Sequence, residues 1–219
     1  GDKLRGSRTG VYVGFCGESD YGRYIAETSP EDYVVAAPGN LTPVIASRIS
    51  YLMDFKGPSV IINTACSSSL VAIHYACCGI RNGECDIAIA GGVKVWLYSI
   101  KNQYKMGIES EDAVTRSFDD NSNGTAKGEG VAAIVLKPLD KAIRDRDSIY
   151  AVIKGSFINQ DGASNGLTAP SPTAQAEVIS KAWENASIDP KTISYIEAHG
   201  TGTRLGDPIE IDGITKAFR

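Results

Sequence analysis

The sequence predicts an α/β fold, and three observations predict it. Ser59-Val60-Ile61-Ile62 is a short β-branched run. After Asn63-Thr64-Ala65, the residues Leu70, Ile73, Cys77 and Ile80 recur at helical spacing, and a second apolar run follows over 86–92. Strand, helix, strand in that order is a βαβ unit, the building block of parallel sheets. The alternation then repeats towards the C-terminus. Third, 23 of the 219 residues are glycine, above the usual ~7%, as expected where turns are tight and backbones approach closely.

Each element has its own local reason. Gly10-Val11-Tyr12-Val13-Gly14-Phe15 reads as a short buried strand ending at a glycine turn. Residues 19–48 are polar, and Pro30, Pro38 and Pro43 limit long helices there, so an irregular stretch is expected. The 59–62 run has the composition of a strand buried on both faces. Gly83 stands where a helix C-terminal glycine belongs. Residues 131–136 form a strand, 140–146 a short charged surface helix, and Ala151-Val152-Ile153-Lys154-Gly155 a further strand. Ser171-Pro172 is an N-cap followed by proline at the first helical position. Behind it Ala174, Val178, Ala182 and Ala186, flanked by Ile179 and Trp183, make an apolar helical face. Ile193-Ser194-Tyr195-Ile196 is a last strand, which delivers Glu197-Ala198-His199-Gly200 to its C-terminal end.

Charge and composition exclude several classes of function. The net charge is −4 and there is no Lys/Arg run, so the electrostatic footprint of a nucleic-acid binder is missing. No stretch approaches the roughly 18 apolar residues of a membrane span. The first residues have no apolar core of a signal peptide. Five cysteines, Cys16, Cys66, Cys77, Cys78 and Cys85, are odd in number and lack a disulfide rhythm, which points to a reducing cytoplasmic setting. The chain begins with Gly rather than Met and stops inside a helical pattern, as an excerpt from a longer protein would.

Two side chains stand out as chemistry. Cys66 lies where a buried strand meets a helix, among the small residues Ala65, Ser67, Ser68 and Ser69. A helix N-terminus stabilises negative charge on sulfur and aims backbone N–H groups at an acyl oxygen. Position alone leaves a small buried core cysteine equally open. Of the two histidines, His74 follows Cys66 by eight residues on one helix, about 12 Å along the axis, and reads as structural. His199 ends a strand within His199-Gly200-Thr201-Gly202-Thr203, and open α/β sheets bind ligands at the carboxyl ends of their strands. Asp119-Asp120-Asn121-Ser122-Asn123-Gly124 begins like a calcium loop, but its twelfth position is Gly130, so a polar turn is expected. Gly124, Gly128 and Gly130 have neither P-loop nor dinucleotide-binding spacing. Cys77, Cys78 and Cys85 lack zinc-site spacing, and no metal site is expected.

Taken together, the motifs resemble a known family. Asn63-Thr64-Ala65-Cys66-Ser67-Ser68-Ser69-Leu70 is similar to the nucleophile motif of β-ketoacyl synthases, in particular the ketosynthase domains of modular type I polyketide synthases. Glu197-Ala198-His199-Gly200-Thr201-Gly202-Thr203, with Gly206-Asp207-Pro208-Ile209-Glu210 after it, resembles the family's first-histidine motif. Asn159-Gln160-Asp161-Gly162, Ser164-Asn165-Gly166-Leu167-Thr168-Ala169-Pro170 and Gly128-Glu129-Gly130 match as well, in the family's order. Residues 94–115 are less typical of it.

The resemblance implies a thiolase-like αβαβα layered sandwich. Residues 1–149 would be its N-terminal half with the nucleophile, and 150–219 the beginning of its C-terminal half. It implies that Cys66 accepts an acyl chain and that His199 stabilises the enolate left when a malonyl-type extender loses CO2. Thr201 and Thr203 would hydrogen-bond the pantetheine arm, and Glu210 would be structural, coupled to a lysine further on. The partner would be an acyl carrier protein presenting substrates on phosphopantetheine, with no cofactor bound directly, and the full-length parent would be a homodimer. The family's second histidine, its lysine and its Gly-Phe-Gly-Gly-like loop are not among the 219 residues. A non-elongating chain-transfer domain, or an inactive isolated piece, is therefore the alternative to a condensing enzyme.

Overall fold

The computed structural model describes residues 4–17, 20–97, 107–164, 166 and 169–219. Asn165, Leu167 and Thr168 of the Asn/Gly-rich motif, and 98–106 of the atypical stretch, lie outside the described residues. The chain divides into two units, one of Gly1–Asn102 with Gly128–Ala151, the other of Gln103–Lys127 with Val152–Arg219.

The first unit is built on a mixed sheet of β1 (Thr9–Gly14), β2 (Ser59–Ile62), β3 (Ile87–Lys94) and β4 (Gly130–Leu136), in the order β2-β1-β3-β4. The first three are parallel, and β4 runs antiparallel to β3. Its helices are α1 (Asp20–Thr28), α2 (Tyr33–Ala36), α3 (Val44–Met53), α4 (Ser68–Arg81) and α5 (Leu139–Asp145). The expected βαβ unit is present, with β1 lying between its two strands. Register sets Gly14 level with both Ile62 and Gly92, so β1 and β2 end together while β3 runs on to Lys94, and Gly14 and Gly92 both lie against the start of α4.

Alternation along the strands divides the core into two faces. Tyr12, Ile62, Ala88 and Ala90 pack with Ala72 and Ala76 of α4. Val11, with Val13, Ile61 and Ile89, packs with Ala46 of α3 and Phe55. Covering both faces of the parallel strands is what lets them be apolar throughout.

Three expectations need correction here. The 59–62 strand is not buried on both faces: β2 is the edge strand, Val60 is 37% exposed, and only Ile62 is buried. Leu70 does not join the buried stripe of α4, being 71% exposed; Ala72, Ala76, Cys77 and Gly79 form that face instead. Small residues let the helix lie close to the sheet, and a three-four spacing of larger ones is satisfied by two neighbouring stripes. Residues 20–48 are helical rather than irregular. Pro30 and Pro38 each stand in the first turn of a 3-10 helix, and Pro43 precedes α3. Proline breaks helices in their interior but costs nothing at a first turn, where no N–H is needed.

The second unit contains α6 (Pro172–Ala186) and α7 (Gly206–Ala217). Ser171 caps α6 as expected, its Oγ accepting from Ala174 N–H at 3.2 Å. α6 packs against α7 through Trp183, whose ring lies 4.8 Å from that of Phe218, and through Gln175, which borders Gly213. The expected strands at 151–155 and 193–196 are not strands: neither segment joins a ladder among the described residues. A strand is defined by its ladder, and apolar composition supplies only one side of it. Gly155 packs against α6 instead, where a Cβ would lie 2.6 Å from Ala182 O and Ala186 N.

Candidate active site

Cys66 stands at the entry to α4, in a 3-10 turn, Ala65–Ser67, that joins β2 to the helix. The turn is held by short side chains. Thr64 N–H donates to Ser68 Oγ at 2.9 Å, Ser68 Oγ–H donates to Ala65 O at 2.7 Å, and Ser67 Oγ–H donates to Thr64 O at 2.8 Å. Ala65 takes φ +54°, the left-handed region, which costs a non-glycine residue about 1–2 kcal/mol. Backbone strain of this kind concentrates at functional turns. The result is a sharp bend that leaves Cys66 exposed.

Gly14 explains why the helix can start so close to the sheet. A Cβ there would stand 2.6 Å from Ser68 C and Ser69 N. Beside the strand ends, a cavity of about 320 Å³ is bordered by Phe15, Tyr21, Leu41, Ile45 and Lys94. Lys94 Nζ donates to Cys16 O at 3.2 Å and lies 3.6 Å from the Trp96 ring centre.

In the second unit His199 opens a loop built on carboxylates. Glu210, in the second turn of α7, accepts His199 N–H at 2.5 Å and Gly200 N–H at 2.8 Å, one on each oxygen. A carboxylate with two backbone donors is a strong anchor, and it fixes the peptide groups on both sides of the His199 Cα. Gly202 has φ +68°, and a Cβ there would lie 3.0 Å from Arg116 N and Gly124 O. Thr201 and Thr203 are half-buried, with Oγ atoms 2.9 Å apart.

Asp207 is the residue that sequence reasoning passed over except as part of a motif. It is 4% exposed and accepts Phe118 N–H at 2.6 Å, Gly202 N–H at 3.0 Å and Thr201 Oγ–H at 3.3 Å. Its position one residue into α7 was visible, since acidic residues favour helix first turns. Its partner Phe118, 89 positions away, was not. The polar turn after Phe118 is tied to the same loop, through Gly124 N–H to Gly202 O at 2.9 Å and Arg204 Nε to Ser122 O at 3.3 Å. Within that turn Asp119 Oδ1 accepts Asn121 N–H at 2.7 Å.

Thr201, Thr203 and Glu210 are thus gathered around the His199 loop, while Cys66 belongs to the first unit. His74 sits on α4, half-buried, with Nε2 3.6 Å from Cys78 Sγ and its ring edge-on to Tyr75. Burial, and then the Arg81 charge, hold its pKa below the usual imidazole value. Cys77 and Cys85 are buried. Asn159 Nδ2 donates to Ala174 O, and Asp161 Oδ2 accepts Ser171 N–H at 2.9 Å, so the Asn/Gly-rich segment holds the start of α6. Trp96 Nε1 donates to Gly128 O at 3.3 Å, which engages the Gly128-Glu129-Gly130 motif.

Residues 1–142 match the family model "Beta-ketoacyl synthase, N-terminal domain", and 150–219 match "Beta-ketoacyl synthase, C-terminal domain". Polyketide synthase PksL of Bacillus subtilis (strain 168) is 49% identical over 221 residues, which cover 99% of this chain and 5% of that protein. The highly reducing polyketide synthase dmxL2 of Cryptosporiopsis sp. (strain 8999) is 44% identical over 222 residues, 99% of this chain and 9% of that one. Among solved structures, the oxazolomycin ketosynthase domain OzmH KS7 of Streptomyces albus JA3453 superposes with a TM-score of 0.89 at 40% identity, covering 100% of this chain and 38% of its own. The ketosynthase from module 6 of the bacillaene synthase of Bacillus subtilis 168 gives a TM-score of 0.88 at 40% identity, covering 99% and 37%. The chain therefore spans well under half the length of these relatives, and it shares their thiolase-like α/β fold. Matched in order by both halves of the family's model, and superposed almost throughout on ketosynthases of modular synthases, this chain belongs to the β-ketoacyl synthase family, as a ketosynthase of polyketide synthase type.

Proposed function

We propose that the chain carries the acyl-accepting cysteine and the first histidine of a decarboxylative condensing enzyme, on halves spanning 1–149 and 150–219. The observation that carries this reading is the exposed Cys66 in a strained turn at the start of α4. The Cys66 thiolate attacks the carbonyl of a carrier-bound thioester, the carrier thiol leaves, and the acyl chain rests on Cys66 as a new thioester. A malonyl-type unit then loses CO2, and His199 donates a hydrogen bond to the thioester oxygen where negative charge collects. The resulting carbanion attacks the Cys66 thioester, forms a carbon–carbon bond and releases the sulfur.

Thr201 and Thr203 hold the phosphopantetheine arm of an acyl carrier protein, and Glu210 fixes the backbone that orients His199. The full-length protein works as a cytoplasmic homodimer. Among the described residues no helix is long and apolar enough to cross a membrane.

His199→Ala in the full-length protein separates the steps. CO2 release from a malonyl-carrier substrate is expected to fall by about 10²–10³-fold, the usual effect of removing an oxyanion donor. Loading of the starter acyl group on Cys66 is expected to continue near the wild-type rate. Undiminished CO2 release in the variant would remove His199 from the mechanism.

A further inference from the structure

The hydroxyl pair of the His199 loop has a direction, and that direction follows from its neighbours. A hydroxyl has one proton to give and two lone pairs to receive with. Asp207 already receives a backbone N–H on each oxygen, from Phe118 and from Gly202. Towards Thr201 it is therefore an acceptor, so the Thr201 proton points at Asp207 Oδ1, 3.3 Å away. Thr201 Oγ1 then receives the proton of Thr203, 2.9 Å away. Thr203 Oγ1 in turn receives the N–H of Gly206, at the start of α7, at 3.0 Å. The chain runs Gly206 N–H to Thr203, Thr203 to Thr201, Thr201 to Asp207, with every proton spent. Gly206 is part of the device, since a Cβ there would lie 2.5 Å from Thr203 Oγ1 and 2.9 Å from Thr201 Oγ1.

We propose that Asp207 is a positioning residue that fixes both threonine protons inward, so that Thr201 and Thr203 meet the carrier arm only as hydrogen-bond acceptors. Each hydroxyl oxygen has one lone pair left, and the group it reads is an amide N–H of the arm rather than an amide carbonyl. This deepens the reading above and rests on it, because it takes the threonines as the arm's contacts.

The arm itself supplies the test, in the full-length protein with synthetic pantetheine thioesters as acyl donors. Replacing an arm amide by an ester removes the N–H and keeps a carbonyl; replacing it by a thioamide strengthens the N–H donor and weakens the acceptor. The expected result is a KM raised about fivefold to tenfold for the ester, as for one lost hydrogen bond, an equal or lower KM for the thioamide, and kcat little changed. In Asp207→Ala the acceptor of the Thr201 proton is gone, that proton is free to turn outward, and the ester penalty is expected to shrink while the thioamide becomes the poorer substrate. A wild-type enzyme that tolerates the ester and is impaired by the thioamide would overturn the proposal without any variant being needed. If neither replacement alters KM and Thr201→Val is also without effect, the threonines do not contact the arm, and the underlying reading fails with the proposal.

Discussion

At the residue scale, the two candidate catalytic side chains are placed by very different means. Cys66 depends on backbone conformation, since Ala65 at φ +54° turns the chain between β2 and α4. His199 depends on charge, since Glu210 receives the N–H groups of the peptides on both sides of the His199 Cα. Glu210→Ala leaves those two donors without their carboxylate, and hydrogen bonds to charged groups are worth about 1.5–3 kcal/mol each. Urea unfolding of the full-length variant is expected to show a loss of roughly 2 kcal/mol or more, with Glu210→Gln recovering part of it. An unchanged unfolding midpoint for Glu210→Ala would mean the loop is held by Asp207 alone.

At the scale of elements, α4 couples the cysteine to the core. Gly14→Ala places a methyl 2.6 Å from Ser68 and Ser69 backbone atoms, so the helix start must lift off the sheet. Overpacking of this kind costs about 1–3 kcal/mol, and acyl loading of Cys66 is expected to slow with it. The same helix gives stability a pH dependence. On α4, burial pushes the Cys77 thiol up and His74 down, and just beyond the helix it pushes the Cys85 thiol up. A thiol raised on folding contributes stability that is complete below its unfolded pKa, about 8.5, and that is lost as pH rises through the folded value. His74 has the opposite sense: its contribution is complete above about 6.5 and is lost as pH falls through its depressed folded value. Stability measured by urea unfolding is therefore expected to peak between roughly pH 7 and 8, and Cys77→Ala is expected to flatten the alkaline side.

Much of this arrangement could be read from the chain because its causes are local. Ser171-Pro172 starts α6, Gly83 takes φ +72° after α4, and the β2–α4–β3 series forms as its composition requires. What could not be read depends on partners far away in sequence. Nothing near Val60 says that β2 is an edge strand, because that depends on which strands flank β1. Tyr195 and Ile196 have strand composition without a ladder among the described residues. Asp207 is a motif residue until Phe118 is seen to donate to it from 89 positions away. Cys66 and His199 were visible as chemistry, whereas the carboxylates that organise the His199 loop were visible only as letters beside it.

At the scale of the whole molecule, apolar surface is left uncovered. On β4, Val131 and Val135 are 71% and 72% exposed, Tyr150 is fully exposed and Tyr195 largely so. Exposed apolar patches and unpaired extended backbone favour association. The 219 residues produced alone are expected to bind a hydrophobic dye such as ANS strongly and to self-associate in light scattering. A monodisperse monomer with a sharp thermal transition and no dye binding would contradict that. It would leave the chemistry of the family, which rests on sequence and superposition, untouched.

That chemistry turns on one bond. Intact-protein mass spectrometry of the full-length enzyme, incubated with an acyl-carrier thioester, is expected to show one acyl adduct, mapped by peptide analysis to Cys66 and absent from Cys66→Ala. The same adduct on a folded Cys66→Ala protein would contradict the assignment of Cys66 as the nucleophile.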